Sequence, residues 1–216
     1  NLDTPGGEVT ASDAIYHEIM EIRNSARKPV VAMMNSLAAS GGYYVAAGCD
    51  RIVANKLTLT GSIGVIIESY NYSELFNKVG LKSETYKSGA MKDMLDGSRP
   101  RTEEERKIVQ QLVDNTYNEF VSVVSLGRNI PAEKIKGTYM GDGRVLDGKQ
   151  ALECNLVDRL GYFQDSIDEA AKLADIESYR VVRFNEAFSF AKLLKQMNGS
   201  SASLKVSLPG LSAEPR

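Results

Sequence analysis

Two hydrophobic patterns alternate along the chain: short continuous apolar runs, and stripes in which apolar residues recur every three or four positions. Continuous runs with β-branched residues are typical of buried strands, whereas such stripes are typical of amphipathic helices. The runs predict strands in "PVVAMMN", "RIVA", the apolar run after the Gly-Ser turn of "TLTGSIGVIIESYN", the start of "SETYKSGAMKDML", both ends of "GRVLDGKQALECNLVDRLG", and "YRVVRF". The stripes predict helices over residues 11–26, 72–79, 163–174 and 186–197, a short buried helix in "YYVAAG", and one inside "GKQALE".

The longest predicted helix begins at Thr102, where the sequence carries a start signal. Thr102 and Glu105 have the spacing of a capping box, in which each residue satisfies a backbone N–H of the other. One face of this helix is marked by Ile108, Leu112, Val113, Thr116, Phe120, Val121 and Val124.

Strands that alternate with helices favour an α/β fold class with a parallel or mixed sheet wrapped by helices. We predict one main domain over residues 1–184. A C-terminal helix and a flexible tail are predicted over residues 185–216, because "NGSSASLKVSLPGLSAEPR" has no periodicity. Ligand sites in such folds collect at the turns that follow strands, which here are "TPGG" and "AASGG".

Composition excludes several classes of function. The net charge of -2 comes from interspersed acids and bases, so no basic patch for nucleic-acid binding is expected. Cys49 and Cys154 lie far apart and in no metal or CxxC spacing, which favours two buried small side chains over a zinc or redox site. The chain contains no apolar stretch of about 18 residues. It opens on "NLDTPGG", which is typical of a strand running into a turn, so we expect earlier strands and an anchoring segment outside it.

The uncharged stretch "SLAASGGYY" places Ser40 where a strand is predicted to turn into a helix. A helix-packing corner or a simple turn would explain the small residues. The alternative is that Ser40 is a nucleophile. Acyl transfer also needs backbone N–H groups aimed at an oxyanion, and "PGG" and Gly41 would suit this purpose, although "PGG" is commonly only a turn.

A base for Ser40 is the next requirement. His17, the single histidine, falls on the polar face of its predicted helix, so we expect it to be solvated rather than catalytic. Lysine is the alternative base in Ser-Lys dyads, provided that burial lowers its pKa from about 10.4. Lys92 has apolar and small neighbours, but the carboxylate of Asp93 would have to point away from it.

Five ordered segments, "DTPGG", "SLAASGGYYVAAGCDRIVAN", "LTGSIGV", "YKSGAMKDM" and "GRVLDGKQALECNLVDRLG", resemble the signal peptide peptidase A family of bacterial serine peptidases. The resemblance spans about residues 1–175 and is strongest to the short, single-domain members. It implies a Clp protease/crotonase-like fold built from repeated ββα and βαβ units. Residues 1–184 would then form the catalytic domain.

The same resemblance implies a role for each matching residue. Ser40 matches the nucleophile and Lys92 the general base. Ser62 matches a serine whose hydroxyl orients the base amine. Gly7 matches an oxyanion donor, with the N–H of Gly41 as its partner.

The resemblance further implies a serine endopeptidase without cofactor or metal that hydrolyses apolar extended peptides, such as cleaved signal-peptide remnants. It implies a homo-oligomeric ring at the bacterial cell membrane, attached through a segment outside this chain, with the catalytic domain on the extracytoplasmic face. Two other functions stay open. A crotonase-like acyl-CoA enzyme would share the oxyanion turns but use carboxylates, and a non-catalytic scaffold would only bind peptides.

Overall fold

Six strands and seven helices lie within residues 1–184, the part of the chain that this computed structural model describes. The strands are β1 (Leu2–Thr4), β2 (Val31–Ala39), β3 (Arg51–Ala54), β4 (Leu59–Gly61), β5 (Val145–Asp147) and β6 (Arg159–Leu160). The helices are α1 (Val9–Ser25), α2 (Gly41–Ala47), α3 (Ser73–Val79), α4 (Glu103–Arg128), α5 (Ala132–Lys136), α6 (Gly148–Glu153) and α7 (Phe163–Leu173).

The strands form one mixed sheet in the order β5-β4-β2-β3-β6, and β1 also pairs with β2. β2 is parallel to β1, β3 and β4, and only the β4–β5 pair is antiparallel. Met34 in β2 lies opposite Leu2 and Ala54, and Ala38 lies opposite Thr4 and Thr60. The predicted α/β fold class with a parallel or mixed sheet is therefore confirmed.

The hydrophobic core joins the sheet to helices α2 and α4. Helix α2 is buried from Gly42 to Ala47, and Phe120 and Val124 of α4 belong to the same cluster. The fully buried Tyr43 donates its hydroxyl hydrogen to the carbonyl oxygen of Leu156 at 2.8 Å, so its one polar atom is satisfied. Each large side chain buried in this way stabilises the fold by roughly 1.5–3 kcal/mol.

Helix α4 begins as the sequence predicts. The Thr102 hydroxyl accepts a hydrogen bond from the Glu105 N–H at 3.2 Å, and the Glu105 carboxylate accepts one from the Thr102 N–H at 2.8 Å. The capping box is thus confirmed.

Helix α1 is confirmed, but its predicted apolar face is partly wrong. Ile15 and Ile22 are 53% and 44% exposed, whereas Tyr16 and Ile19 pack against the core. The helix is rotated because the ring of Tyr16 packs on the ring of Tyr44 with a centroid separation of 5.4 Å.

Three predicted strands are wrong. Residues 62–71, 81–87 and 179–184 form neither strand nor helix. Their apolar side chains suggested burial, yet Ile66 is 86% exposed and Tyr86 is 93% exposed. Within the described residues these segments pair with no strand, although Ile63 in the first of them is fully buried.

The cysteines are both free thiols. Cys49 is buried, as predicted, while Cys154 is half-buried. Burial raises the pKa of Cys49 to about 11, which keeps its thiol protonated near neutral pH.

Contacts divide the chain into two units, Asn1–Ser178 and Tyr179–Arg216. The predicted helix over residues 186–197 and the predicted tail lie outside the described residues. Within residues 1–184, no helix combines the length and the apolar character that crossing a membrane requires.

Candidate active site

Three parallel strands end at the candidate site. β1 ends at Thr4, β2 at Ala39 and β4 at Gly61, and each is followed within three residues by a predicted site residue: Gly7, Ser40 or Ser62. The carboxyl ends of parallel strands meet at one edge of a sheet, so the topology itself gathers these residues.

Ser40 occupies a sharp turn between β2 and α2. Its backbone has φ 52° and ψ -121°, which is unusual for a residue with a Cβ atom. Two backbone hydrogen bonds hold the turn: Ser40 N–H to Gly61 O and Tyr44 N–H to Ser40 O, both at 2.9 Å. The Ser40 hydroxyl makes no capping hydrogen bond to α2. A strained strand-to-helix turn that presents a free hydroxyl is the geometry of a nucleophile elbow.

The "PGG" turn packs directly on the Ser40 turn. Gly6 has φ +105°, and a Cβ atom added there would lie 2.7 Å from both the Gly41 nitrogen and the Ser40 Cβ. A Cβ atom at Gly41 would lie 3.3 Å from the Gly7 nitrogen and would overlap the hydroxyl oxygen of Ser12. The two candidate oxyanion donors, Gly7 and Gly41, are therefore neighbours, and only glycine permits this approach at residues 6 and 41.

Ser62 repeats the local geometry of Ser40. It follows β4 directly, has φ 51°, and donates its backbone N–H to the Arg144 carbonyl oxygen at 2.8 Å. Because its backbone is fixed by this bond, the Ser62 side chain is held at the same cleft as Ser40.

The cleft has a volume of about 1050 Å³ and is lined by Gly7, Ser40, Gly41 and Ser62. Its other walls come from the first turn of α1, the middle of α4 and the loop over residues 141–143. Apolar and aromatic side chains on these walls are Val9, Tyr44, Val65, Ile66, Val113, Tyr117 and Phe120. The lining also carries the carboxylates of Asp13, Asp114, Glu119 and Asp142. A cleft of this size suits a peptide segment.

Tyr44 joins the cleft to the core. Its hydroxyl donates to the Asp13 carboxylate at 2.7 Å, and its ring packs on Phe120 with a centroid separation of 5.2 Å. Burial, with the Asp13 hydrogen bond as a smaller cause, raises the pKa of Tyr44. The phenol therefore remains protonated and is unsuitable as a base.

Lys92 is not brought to this cleft. It lies in a turn over residues 89–95 with an exposed side chain and does not line the cavity. Asp93 does point away from it, as a base at Lys92 would require, because its carboxylate binds Lys87 and Arg99 instead. The structure thus gathers Ser40, Ser62, Gly7 and Gly41, and the role of Lys92 stays a prediction.

His17 is exposed on α1 and does not line the cleft, as expected of a solvated histidine. Sequence reasoning did not single out Ser12, whose side chain abuts Gly41, or Arg99, whose guanidinium binds Asp93. Ser12 lies five residues after Gly7, near the start of α1. Because α1 begins at Val9, the side chain of Ser12 faces the glycines. Arg99 carried no sequence signal beyond its proximity to an acidic helix start.

Several known proteins with similar sequences, and one with a similar fold, are named as proteases. Residues 22–177 match the profile of peptidase family S49. The putative signal peptide peptidase SppA of Enterococcus faecium is 41% identical over 191 residues, which are 88% of this chain and 55% of that protein. The chloroplastic serine protease SPPA of Arabidopsis thaliana is 34% identical over 215 residues, covering 97% of this chain and 31% of that protein. The solved structure of the 1510-N membrane-bound stomatin-specific protease matches with a TM-score of 0.50 at 18% identity, over 79% of this chain and 67% of that one.

The fold is therefore the mixed α/β fold of a known protease structure. The chain belongs to peptidase family S49, which confirms the resemblance to the signal peptide peptidase A family. It spans about half the length of its relative from Enterococcus faecium, of which it covers 55%.

Proposed function

We propose that this chain is the catalytic domain of a serine endopeptidase that uses a Ser40–Lys92 dyad. The observation that carries the proposal is the convergence of Ser40, Ser62 and two glycine turns on one cleft. Membership of a peptidase family supports the same reaction class.

The proposed mechanism is acyl transfer. Neutral Lys92 takes the proton of the Ser40 hydroxyl as its oxygen attacks a peptide carbonyl carbon, and the oxyanion accepts hydrogen bonds from the Gly7 and Gly41 N–H groups. Lys92 then gives the proton to the leaving amine, and the C–N bond breaks. Water attacks the acyl-enzyme in a second cycle and releases the acid. Ser62 orients the Lys92 amine in both cycles.

This mechanism requires the turn over residues 89–95 to approach Ser40. We propose that it does so when substrate or a neighbouring subunit covers the cleft, since Lys92 is exposed in the isolated chain. The segment between Ser62 and Thr102 contains helix α3 as its single regular element, so few backbone ladders oppose such a movement.

The proposed substrates are apolar extended peptides, including signal-peptide remnants. Val113 and Phe120 give the cleft an apolar wall, and Val65 and Ile66 form an unpaired stretch of backbone at its rim. A peptide could add as a strand at this rim and place alternate side chains in the cleft.

We also propose a homo-oligomeric ring at the bacterial cell membrane. The catalytic domain would lie on the extracytoplasmic face and be attached by a segment outside this chain. Self-association would cover the exposed side chains of Ile66 and Tyr86.

A fluorophosphonate probe tests the mechanism. Labelling should disappear in Ser40→Ala and slow by about a hundredfold or more in Lys92→Ala, because general-base catalysis contributes that much. Ser25→Ala, an exposed serine on α1, is the matched control and should label normally. Persistent labelling of Ser40→Ala would contradict the proposal, and acyl-CoA turnover by that variant would favour the crotonase-like alternative.

The pH dependence gives a second test. Labelling of Ser40 should accelerate as the pH rises, because the base must lose its proton before it can accept another. A maximum near pH 5 would rule out a lysine base.

A further inference from the structure

An ion-pair cluster holds the turn that carries Lys92. The Asp93 carboxylate binds Lys87 Nζ at 2.7 Å through Oδ1. Arg99 reaches the same carboxylate with two nitrogens, Nη2 to Oδ1 at 2.7 Å and Nε to Oδ2 at 3.0 Å. This two-point contact fixes the orientation of Asp93 more firmly than a single ion pair would.

Arg99 also connects that turn to the start of α4. Its Nη1 donates to Glu105 Oε2 at 3.0 Å, and its Nη2 donates to Oε1 of the same carboxylate. Glu105 is only 1% exposed and is held by Thr102 in the capping box. One guanidinium therefore bridges the Lys92 turn to the helix whose middle section lines the cleft.

The charged groups around this turn leave Lys92 without a carboxylate partner. Lys87 and Arg99 occupy Asp93, and Arg99 and Thr102 occupy Glu105. The Asp96 carboxylate accepts hydrogen bonds from the Ser98 N–H at 2.8 Å and from the Tyr72 hydroxyl at 3.4 Å. Within the described residues no ion pair includes Lys92.

This arrangement matters for a lysine base. A carboxylate beside a lysine favours the charged ammonium, which cannot accept a proton. Asp93 is adjacent to Lys92 in sequence, so a free Asp93 carboxylate would be the nearest anion on the same turn.

We propose that Arg99 is a positioning residue for the peptidase reaction: it holds the Asp93 carboxylate away from Lys92. This inference rests on the proposed role of Lys92 as the base. Arg99 acts through Asp93 and Glu105 and does not touch the reacting atoms.

The test is the pH profile of the fluorophosphonate labelling rate, measured on this chain. Arg99→Gln removes the two-point contact that orients Asp93 and leaves Lys87 as its remaining partner, so the midpoint of the profile should move about one pH unit or more toward alkaline pH. At a fixed pH below the midpoint the rate should then fall about tenfold, because each pH unit changes the neutral fraction tenfold. Arg99→Gln/Asp93→Asn removes the carboxylate and should return the midpoint to the wild-type value.

Arg106→Gln is the matched control, because Arg106 is also near the start of α4 but pairs with the exposed Glu103 at 3.4 Å. It should leave the midpoint unchanged. An unchanged midpoint in Arg99→Gln, or a shift that persists in the double variant, would overturn the inference, because a merely structural role predicts lower activity at every pH.

Two further measurements distinguish failure of this inference from misfolding of Arg99→Gln and from failure of Lys92 as the base. If Arg99→Gln does not fold, Asp93→Asn alone decides: a wild-type midpoint supports the inference, and a midpoint lowered by about one unit shows that Asp93 already faces Lys92 and refutes it. Lys92→Ala separates the two proposals. If it labels as fast as wild type, the proposed base is wrong whatever Arg99 does.

Discussion

The backbone N–H of Ser40 donates to the carbonyl oxygen of Gly61 at 2.9 Å, which ties the residue after β2 to the last residue of β4. Ser62 comes next in the chain, and its own N–H is bonded to the Arg144 carbonyl oxygen. Both serines are thus placed by backbone hydrogen bonds. Removing the hydroxyl of either serine therefore leaves the backbone hydrogen bonds of its turn intact.

Ser62→Ala should therefore be a functional defect in a folded protein. We expect the labelling rate to fall about tenfold or more, because a lost hydrogen bond of this kind costs roughly 1–3 kcal/mol. The melting temperature should stay within a degree or two of wild type. Ser25→Ala serves as the control, and wild-type labelling of Ser62→Ala would remove Ser62 from the mechanism.

Gly41→Ala and Gly7→Ala should behave differently. The added methyl group at residue 41 overlaps the Ser12 hydroxyl, and we expect a loss of about 1–3 kcal/mol in the free energy of unfolding together with loss of labelling. A Cβ atom at Gly7 meets no atom within 4 Å, so Gly7→Ala should keep its stability.

Urea unfolding of both variants measures this difference. Gly41→Ala/Ser12→Ala removes the overlapping hydroxyl and should recover part of the stability. Equal stability of Gly41→Ala and Gly7→Ala would contradict the packing described for the two turns.

The cluster around Arg99 predicts a loss of stability in acid. Hydrogen bonds from Arg99 lower the pKa of Glu105 to about 2 and that of Asp93 well below its usual range. Carboxylates with a lowered folded pKa stabilise the protein above their unfolded values of about 4, and this contribution is lost as the pH falls toward the folded value.

Thermal unfolding at pH 7 and pH 3 tests this prediction. Wild type should lose more stability between the two pH values than Arg99→Gln, in which the pKa values of both carboxylates return toward normal. Arg106→Gln should resemble wild type. Identical acid sensitivity in all three proteins would show that the cluster contributes nothing to the pH dependence.

Closure of the Lys92 turn should be visible by amide hydrogen exchange. Residues 81–88 form neither helix nor strand and are exposed, so their amides should exchange quickly in the free chain. Covalent labelling of Ser40 by a peptide phosphonate that fills the cleft should slow exchange over residues 81–95. Unchanged exchange there, with slowing confined to residues 40–47, would argue against movement of the turn.

Assembly can be tested at two highly exposed apolar side chains, Ile66 and Tyr86. Ile66→Asp/Tyr86→Asp should lower the mass measured by sedimentation velocity, because charges at an apolar contact oppose association. Ile15→Asp, at another exposed isoleucine, is the control and should leave the mass unchanged. A monomeric wild-type chain would contradict self-association of this domain alone.

The sequence predicted the observed elements correctly where the local pattern agrees with the tertiary packing. The apolar run of β2, the small residues before α2 and the capping box of α4 all predicted the observed elements, because each signal is complete within a few residues. The sequence also predicted that Gly7 and Ser40 follow strands. It placed Ser62 before a strand, whereas Ser62 follows β4, and parallel pairing brings the three residues together.

Elsewhere the hydrophobic pattern indicated that a segment is buried but did not identify the surface that would cover it. The run that contains Ile66 has the composition of a strand but no partner strand within residues 1–184, so tertiary context overrides its propensity. Contacts such as Ser12 with Gly41 depend on how α1 is rotated, which Ile15 and Ile22 predicted incorrectly. The surroundings of Lys92 likewise depend on a turn whose position no local signal specifies.

Strand β2 is held in register by β1, β3 and β4 at once, through pairs such as Met34 with Leu2 and Ala38 with Thr60. Successive side chains of a strand point to opposite faces, so one residue inserted after Met34 would reverse the direction in which Ser40 emerges. The position of Ser40 in the site therefore depends on the number of residues in β2. Substitutions within that strand are consequently easier to accommodate than any change in its length.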